Sequence, residues 1–269
     1  MPALIQLVHP APAIAVTLLS AVLAWILAGE RSAAHDSWPV AAITLSVLGS
    51  QILVGALNDW ADRGRDAGRP EKPLAAGRLR PETALTVAGA GLALQAGASA
   101  VLGLLPLALG TVASASAVAY NLGLSRTPLS PLPYVVSFGL LPLWIGAGVG
   151  VPLDRVAPAS VLVAPFAAAA HLANVLRDFD ADAVAGSRNL AQWIGRRRAH
   201  ALSAALALLT GAAIGIGFAL AGRLSGWSAG LGAIGLGVLV IGARTPQGLW
   251  NAILVAAVAW TAAWAISSG

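Results

Sequence analysis

The feature of this sequence that most limits its fold is a series of apolar stretches, each long enough to cross a bilayer. Crossing the hydrocarbon core as a helix takes about 20 residues. Hydrophobic residues make up 58% of the 269 residues, and the mean hydropathy is +0.79. Charged residues, Pro and Gly divide the chain into nine predicted spans, at roughly 10–28, 39–57, 84–104, 106–122, 132–150, 158–175, 199–220, 227–242 and 247–267. Because an open strand edge in lipid leaves backbone polar groups unpaired, we expect an all-α polytopic membrane protein, a nine-helix bundle forming one domain over residues 1–269.

The distribution of basic residues predicts the orientation of these spans. With the N-terminus inside, the inner loops are 58–83, 123–131, 176–198 and 243–246, and they contain 13 of the 16 Lys and Arg residues. The outer loops contain only Arg31, Arg155 and Arg223. Inner loops carry an excess of Lys and Arg in membrane proteins, so we expect a cytoplasmic N-terminus and an outer C-terminus.

Composition argues against several other classes of protein. Without cysteine, the chain has neither a disulfide framework nor a thiolate site. The first apolar segment follows no Lys or Arg and is too long for a signal peptide, so we expect a retained first helix. The net charge of +5 lies in short loops between spans, which does not suit a nucleic-acid surface, and no nucleic-acid partner is expected.

The acidic residues are concentrated in two of the inner loops and the helix ends that enter them. Two stretches share the spacing Asn-x-x-x-Asp-x-x-x-Asp at an offset of 116 residues: Asn58, Asp62 and Asp66 in the first, and Asn174, Asp178 and Asp182 in the second. Steps of four residues place a trio on one face of a helix. We therefore expect each helix to leave the membrane with a stripe of oxygen ligands, as two pseudo-repeated parts of one fold.

This pattern predicts a magnesium and polyanion site. Carboxylate and amide oxygens suit Mg²⁺, which shares its coordination with waters and phosphate oxygens. Asp59 is adjacent to the first stripe, while Asp180 is out of register in the second. Basic residues are interleaved with these acids, which suits a diphosphate held through metal and by direct ion pairs. An apolar helix bundle beside such a site suits a substrate with a diphosphate head and a hydrocarbon tail.

The two stretches resemble the signatures of the UbiA superfamily of intramembrane prenyltransferases. "NDWADRGRD" at 58–66 is similar to its first motif, NDxxDxxxD, and "DFDAD" at 178–182 to its second, DxxxD. The segments "RPEKPLAAGRL", "AYNLGLSRTPLSPLPYVVSFGLLPL" and "GSRNLAQWIG" extend the resemblance over most of the chain. One departure is Ser125, which stands where the family usually has a Lys near the phosphate.

The resemblance implies a set of site residues. Catalytic and metal-binding roles fall to Asp62, Asp66, Asp178 and Asp182, with Asn58, Asp59 and, from the repeated spacing, Asn174 as further metal ligands. The implied diphosphate contacts are Arg69, Lys72, Tyr120 and Arg126. The implied cofactor is Mg²⁺, at a site that opens to the cytoplasmic face.

The implied activity is ionisation of an isoprenyl diphosphate and transfer of the prenyl group to an aromatic or other lipophilic acceptor. One alternative is a UbiA-type terpene cyclase, in which double bonds of the chain capture the cation. A second is a cation transporter, although the Asp residues lie at one end of the spans, whereas a transport site is expected near the midplane. His171, one turn before Asn174, is either a proton acceptor or a packed residue, and aromatic side chains such as Trp144 and Trp260 either line a chamber or pack between helices.

Overall fold

A computed structural model describes residues 2–31, 37–66 and 68–268, and these residues form twelve α-helices and no strand. The helices are α1 (Ala3–Leu7), α2 (Pro10–Arg31), α3 (Ser37–Asp62), α4 (Pro81–Ala100), α5 (Leu104–Leu122), α6 (Leu132–Gly148), α7 (Leu153–Arg177), α8 (Phe179–Val184), α9 (Leu190–Ile194), α10 (Arg196–Leu220), α11 (Gly226–Gly242) and α12 (Pro246–Ser268). One turn of 3₁₀ helix lies at Leu124–Arg126. The expected all-α class is confirmed for the described chain.

The long helices coincide with the predicted spans. In the described ranges, the nine helices of 17 or more residues each contain most of one predicted span. Five of them, α2, α3, α5, α7 and α10, are long and apolar enough to cross a membrane, and α6 and α11 are shorter apolar helices. The count of nine spans stays a prediction. Helix α2 continues to Arg31, which the sequence placed in an outer loop, and residues 32–36 of that loop lie outside the described residues.

The chain divides into two compact units. Unit 1 comprises Met1–Gly123 and Leu140–Ala157, and unit 2 comprises Leu124–Gly139 and Pro158–Gly269. The first acidic stretch belongs to unit 1 and the second to unit 2.

In unit 1, helix α3 packs against α2, α4 and α5. Small residues bring α3 and α4 together: a Cβ added to Gly49 would lie 2.5 Å from the backbone nitrogen of Gln95, and one added to Gly91 would lie 2.6 Å from that of Leu53. Membrane helices commonly associate through such small residues. The hydroxyl of Ser46 donates to the carbonyl of Gln95 at 2.8 Å, which ties the same two helices by a hydrogen bond.

In unit 2, α11 packs against α12, and both contact α10. The indole of Trp260 fills the space left by Gly211 and Gly235 and lies 5.3 Å from the ring of Phe166, centroid to centroid. Trp260 therefore packs between helices. Trp144, in unit 1, is also buried, and its indole nitrogen donates to the hydroxyl of Ser99 at 3.2 Å.

Candidate functional site

The first acidic stretch lies where helix α3 ends. Asn58, Asp59 and Asp62 are in its last turns, and Asp66 follows in a series of turns. The expectation that the whole trio lies on one helix is therefore wrong for Asp66. The amides of Arg65 and Asp66 both donate to the carbonyl of Asp62, at 2.8 and 2.9 Å, so the backbone tightens into a turn there. The bond from Asp66 keeps the four-residue step although the helix has ended.

Asp59 is the most enclosed carboxylate of this stretch, with 2% of its surface exposed. The ammonium of Lys72 donates to its Oδ1 at 2.6 Å, and Nε2 of His9 lies 2.8 Å from the same oxygen. Lys72 also lies 3.8 Å from Oδ2 of Asp66. One lysine thus joins the first and last carboxylates of the stretch, as a buried charge requires a partner of opposite sign.

The second carboxylate oxygen of Asp59, Oδ2, indicates whether the first acidic stretch could hold a cation. Oδ2 is buried, and it accepts no hydrogen bond from any described residue. A buried carboxylate oxygen without a partner is costly, and a cation or a metal-bound water would satisfy it. The donor set of this stretch, carboxylate and amide oxygens, is the set that Mg²⁺ prefers. These residues therefore fit the expected metal.

The other predicted ligands of unit 1 are held by neighbouring side chains. Asp62 pairs with Arg65, and Oδ1 of Asp66 accepts from the guanidinium of Arg69 at 3.0 Å. Arg69 also reaches Glu71, with its Nε 3.2 Å from Oε1. More than half of the Arg69 side chain is exposed. The basic residues of the loop are therefore already interleaved with the acids at the side-chain level, as the sequence indicates.

Asn58 links this stretch to helix α5. Its amide nitrogen lies 3.4 Å from Oδ2 of Asp62 and donates to the side-chain oxygen of Asn121 at 3.3 Å. Asn121 donates in turn to the carbonyl of Val54 at 2.9 Å. Tyr120, a predicted diphosphate contact, precedes Asn121 near the end of α5 and is half-buried. The structure thus brings the end of α5 to the end of α3.

The second acidic stretch lies at a break between two helices. Asn174 is in α7, Asp178 stands between α7 and α8 with φ of −105° and ψ of 17°, and Asp182 is in α8. The trio is therefore not on a single helix here either. The amide of Asp182 donates to the carbonyl of Asp178 at 2.8 Å, which again preserves the four-residue step. An apolar cluster supports this break: Leu172, Val175, Leu176, Ala191 and Ala199, with Phe179, Leu190 and Ile194 packed against it.

Within α8, Asp180 and Asp182 have different surroundings. Asp182 accepts at Oδ2 from the amide of Asn189, at 2.9 Å, and Asn189 is almost fully buried. The side chain of Asp180 is 86% exposed and pairs with Arg196. Asn189 also caps α9, since its side-chain oxygen accepts from the amide of Gln192 at 3.0 Å. Of the two carboxylates, Asp182 is therefore the one held by a buried partner.

The remaining candidates in unit 2 are Arg126, Ser125 and His171. Arg126 is exposed in the 3₁₀ turn beside Ser125, and its carbonyl accepts from the amide of Arg188 at 3.0 Å. His171 is fully buried, with Nε2 2.9 Å from the hydroxyl of Ser130 and its ring 4.9 Å from that of Tyr134. His171 is therefore a packed, hydrogen-bonded residue that ties α7 to the segment before α6.

Among the described residues, no three His, Cys, Asp or Glu side chains form a ready-made metal cluster. Magnesium in phosphate sites is held by one or two carboxylates, with phosphate and water supplying the rest, so such a cluster is not required. His9 and Asn189 were not among the predicted site residues. His9 could have been found as the polar residue just before the first predicted span, at the end of that span expected to lie on the same side as the first acidic loop.

The chain is similar to known proteins over most of its length. The model of the UbiA prenyltransferase family matches residues 15–245. Digeranylgeranylglyceryl phosphate synthase of Methanopyrus kandleri is 30% identical over 213 residues, covering 73% of each chain. A UbiA homologue from Archaeoglobus fulgidus, solved with GPP and Mg²⁺, has a TM-score of 0.73, 17% identity and 100% coverage of both chains. The apo structure of a UbiA homologue from Aeropyrum pernix has a TM-score of 0.73, 20% identity, and coverage of 94% of this chain and 97% of that one. At these identities the two structures show a shared fold.

Proposed function

This chain belongs to the UbiA prenyltransferase family, and on that premise we propose that it transfers the prenyl group of an isoprenyl diphosphate to a lipophilic acceptor within the membrane, with Mg²⁺ as cofactor. The main support for the proposal is the arrangement of side chains at the end of α3. There, an almost fully buried Asp59 has one oxygen held by Lys72 and His9 and the other without a hydrogen-bond partner among the described residues. A divalent cation with phosphate oxygens supplies what that arrangement lacks.

The residues that would hold Mg²⁺ are the two sets of acidic and amide side chains. They are Asn58, Asp59, Asp62 and Asp66 in unit 1, and Asn174, Asp178 and Asp182 in unit 2. When bound, Mg²⁺ supplies positive charge that stabilises pyrophosphate as a leaving group. The UbiA homologue from Archaeoglobus fulgidus, solved with GPP and Mg²⁺, supports Mg²⁺ as the cofactor.

The basic residues bind the diphosphate directly. Lys72 and Arg69 are already among the carboxylates of the first stretch, and Arg126 is exposed. Their charges stabilise the negative charge that develops on the bridging oxygen as the C–O bond breaks. Both electrons of that bond leave with the diphosphate, and an allylic cation remains.

The apolar surroundings protect the cation until it is captured. A dry site prevents water from adding to a reactive intermediate. The acceptor forms a new bond to the allylic carbon and then loses a proton, which balances the reaction as prenylated acceptor, pyrophosphate and H⁺. The relative from Methanopyrus kandleri is named as a synthase of a prenylated glyceryl phosphate, so glyceryl phosphate lipids are the first acceptors to test. The aromatic compounds that the sequence resemblance implies are the second.

The test uses purified protein in lipid nanodiscs with geranyl, farnesyl or geranylgeranyl diphosphate, with and without acceptor, in Mg²⁺ or EDTA. We expect pyrophosphate release that requires Mg²⁺ and an acceptor. Cyclic hydrocarbons formed without acceptor would instead identify a terpene cyclase. Cation accumulation in vesicles without any pyrophosphate release would refute the enzyme and support a transporter.

A further inference from the structure

The imidazole of His9 and the ammonium of Lys72 converge on one oxygen of Asp59. Nε2 of His9 lies 2.8 Å from Oδ1 and Nζ of Lys72 lies 2.6 Å from it. A carboxylate oxygen only accepts hydrogen bonds, so the Nε2–H group of His9 is the donor in its hydrogen bond to Oδ1. Lys72 is a donor as well, and its 3.4 Å approach to Nε2 is therefore a contact between two groups that share an acceptor. Oδ1 is fully occupied by residues of this chain.

The backbone fixes where the imidazole begins. His9 has φ of +51°, a region in which His is enriched among non-glycine residues. The preceding carbonyl, that of Val8, lies against helix α3, because a Cβ added to Gly55 would be 2.8 Å from it. Leu7 is fully buried in the apolar cluster with Leu53 and Leu57. The N-terminal segment is thus seated on α3 one turn before Asp59.

We infer that His9 is a positioning residue: with Lys72 it holds Oδ1 of Asp59 and so leaves Oδ2 as the oxygen that meets the metal diphosphate. The inference rests on the proposed function and adds the N-terminal segment to the site. Hydrogen-bond partners behind a metal ligand fix its orientation, and their removal typically lowers metal affinity 10–100-fold. His9 is such a hydrogen-bond partner, and Asp59 is the proposed metal ligand that it orients.

Two amide variants test the reach of the His9 side chain. The amide nitrogen of His9→Gln is as many bonds from Cα as the imidazole Nε2, whereas that of His9→Asn is one bond nearer. The measurement is Mn²⁺ affinity by electron paramagnetic resonance, with a prenyl thiolodiphosphate that resists ionisation. We expect His9→Asn to weaken Mn²⁺ binding about 10-fold and His9→Gln to stay within about 3-fold of the parent.

A third variant displaces the N-terminal segment without changing the side chain of His9 or that of Asp59. The added methyl of Gly55→Ala would collide with the carbonyl of Val8, so we expect a loss of Mn²⁺ affinity similar to that of His9→Asn. The matched control is His200→Asn, which removes a half-buried imidazole that bonds the carbonyl of Ala243 at 2.6 Å. That control is expected to bind Mn²⁺ as the parent does.

The outcomes separate this inference from the proposed function. Mn²⁺ binding by the parent that Asp62→Ala abolishes establishes the metal site by itself. Given that result, equal affinity in the parent and His9→Asn overturns the role of His9 alone, as does an equal loss in His9→Gln and His9→Asn. Binding that Asp62→Ala leaves intact contradicts the proposed metal site and, with it, the inference.

Discussion

Replacement of Lys72 by Met removes the cation that pairs with the buried carboxylate of Asp59. The two groups are 2.6 Å apart, Asp59 has 2% of its side chain exposed, and Lys72 has 19%. Removing one partner of a buried ion pair costs about 3–5 kcal/mol, because the other charge is left uncompensated. Since His9 still donates to the same oxygen, we expect the lower end of that range, a loss of about 3 kcal/mol in the free energy of unfolding.

A double-mutant cycle separates the charge effect from general damage. Asp59→Asn keeps an acceptor for Lys72 and His9, and the ammonium of Lys72 is partly exposed and still lies 3.8 Å from Asp66. We therefore expect Asp59→Asn to cost only about 1 kcal/mol, the worth of an ordinary hydrogen bond. In the double variant no charge is left buried alone, so the combined loss is expected to be about 1–2 kcal/mol, well below the sum of the single effects. The assay is reversible unfolding by SDS in mixed micelles, followed by circular dichroism.

Two results would contradict the predicted ion pair between Lys72 and Asp59. Unfolding of Lys72→Met at the same SDS fraction as the parent would mean that the ion pair is not formed. Strict additivity of Lys72→Met and Asp59→Asn would mean that the two side chains act independently.

Three further predictions concern packing and the second acidic stretch. Gly49→Ala is expected to lower the stability to SDS by about 1–3 kcal/mol through overpacking between α3 and α4. The control Gly89→Ala, whose methyl meets nothing within 4 Å, should raise the stability by about 0.5 kcal/mol. Equal effects of the two substitutions would contradict the α3–α4 contact. Asn189→Ser can still cap α9 but loses the amide that donates to Asp182, so the Mg²⁺ concentration for half-maximal turnover should rise about 10-fold, and an unchanged value would contradict it. Asp180→Asn should leave turnover unchanged because the side chain is 86% exposed, whereas Asp182→Asn should abolish it; equal losses would place Asp180 in the site.

Most of the fold was predictable because the solvent dictates it. In lipid a backbone must satisfy its own hydrogen bonds, so hydropathy located the long helices, while Pro106 separated the predicted spans of α4 and α5, which no charged residue divides. The helix ends were less predictable. Hydropathy falls at the first polar residue, but the hydrogen-bond ladder of α3 continues to Asp62.

The candidate site was predictable where its signal is local. The repeated four-residue spacing identified both acidic stretches, and the backbone preserves that spacing beyond the helix ends. One partner of the carboxylates comes from a distant part of the chain: His9 is 50 residues from Asp59. Asn189, the residue that caps α9, reaches back to Asp182 in α8 across the turn between these helices. Such pairs depend on tertiary packing, and a single sequence carries no periodic signal for them.

The prediction with the widest consequences is that both acidic stretches are required for metal-dependent ionisation of an isoprenyl diphosphate. Its most direct test is the initial rate of pyrophosphate release from geranylgeranyl diphosphate in the presence of acceptor, for the parent, Asp62→Ala and Asp178→Ala. We expect Mg²⁺-dependent release by the parent, abolished by EDTA, and a loss of about 100-fold or more in each variant with the folded yield retained. Normal release by either variant would show that its carboxylate is not required for ionisation, and release by the parent in EDTA would show that the metal is not required.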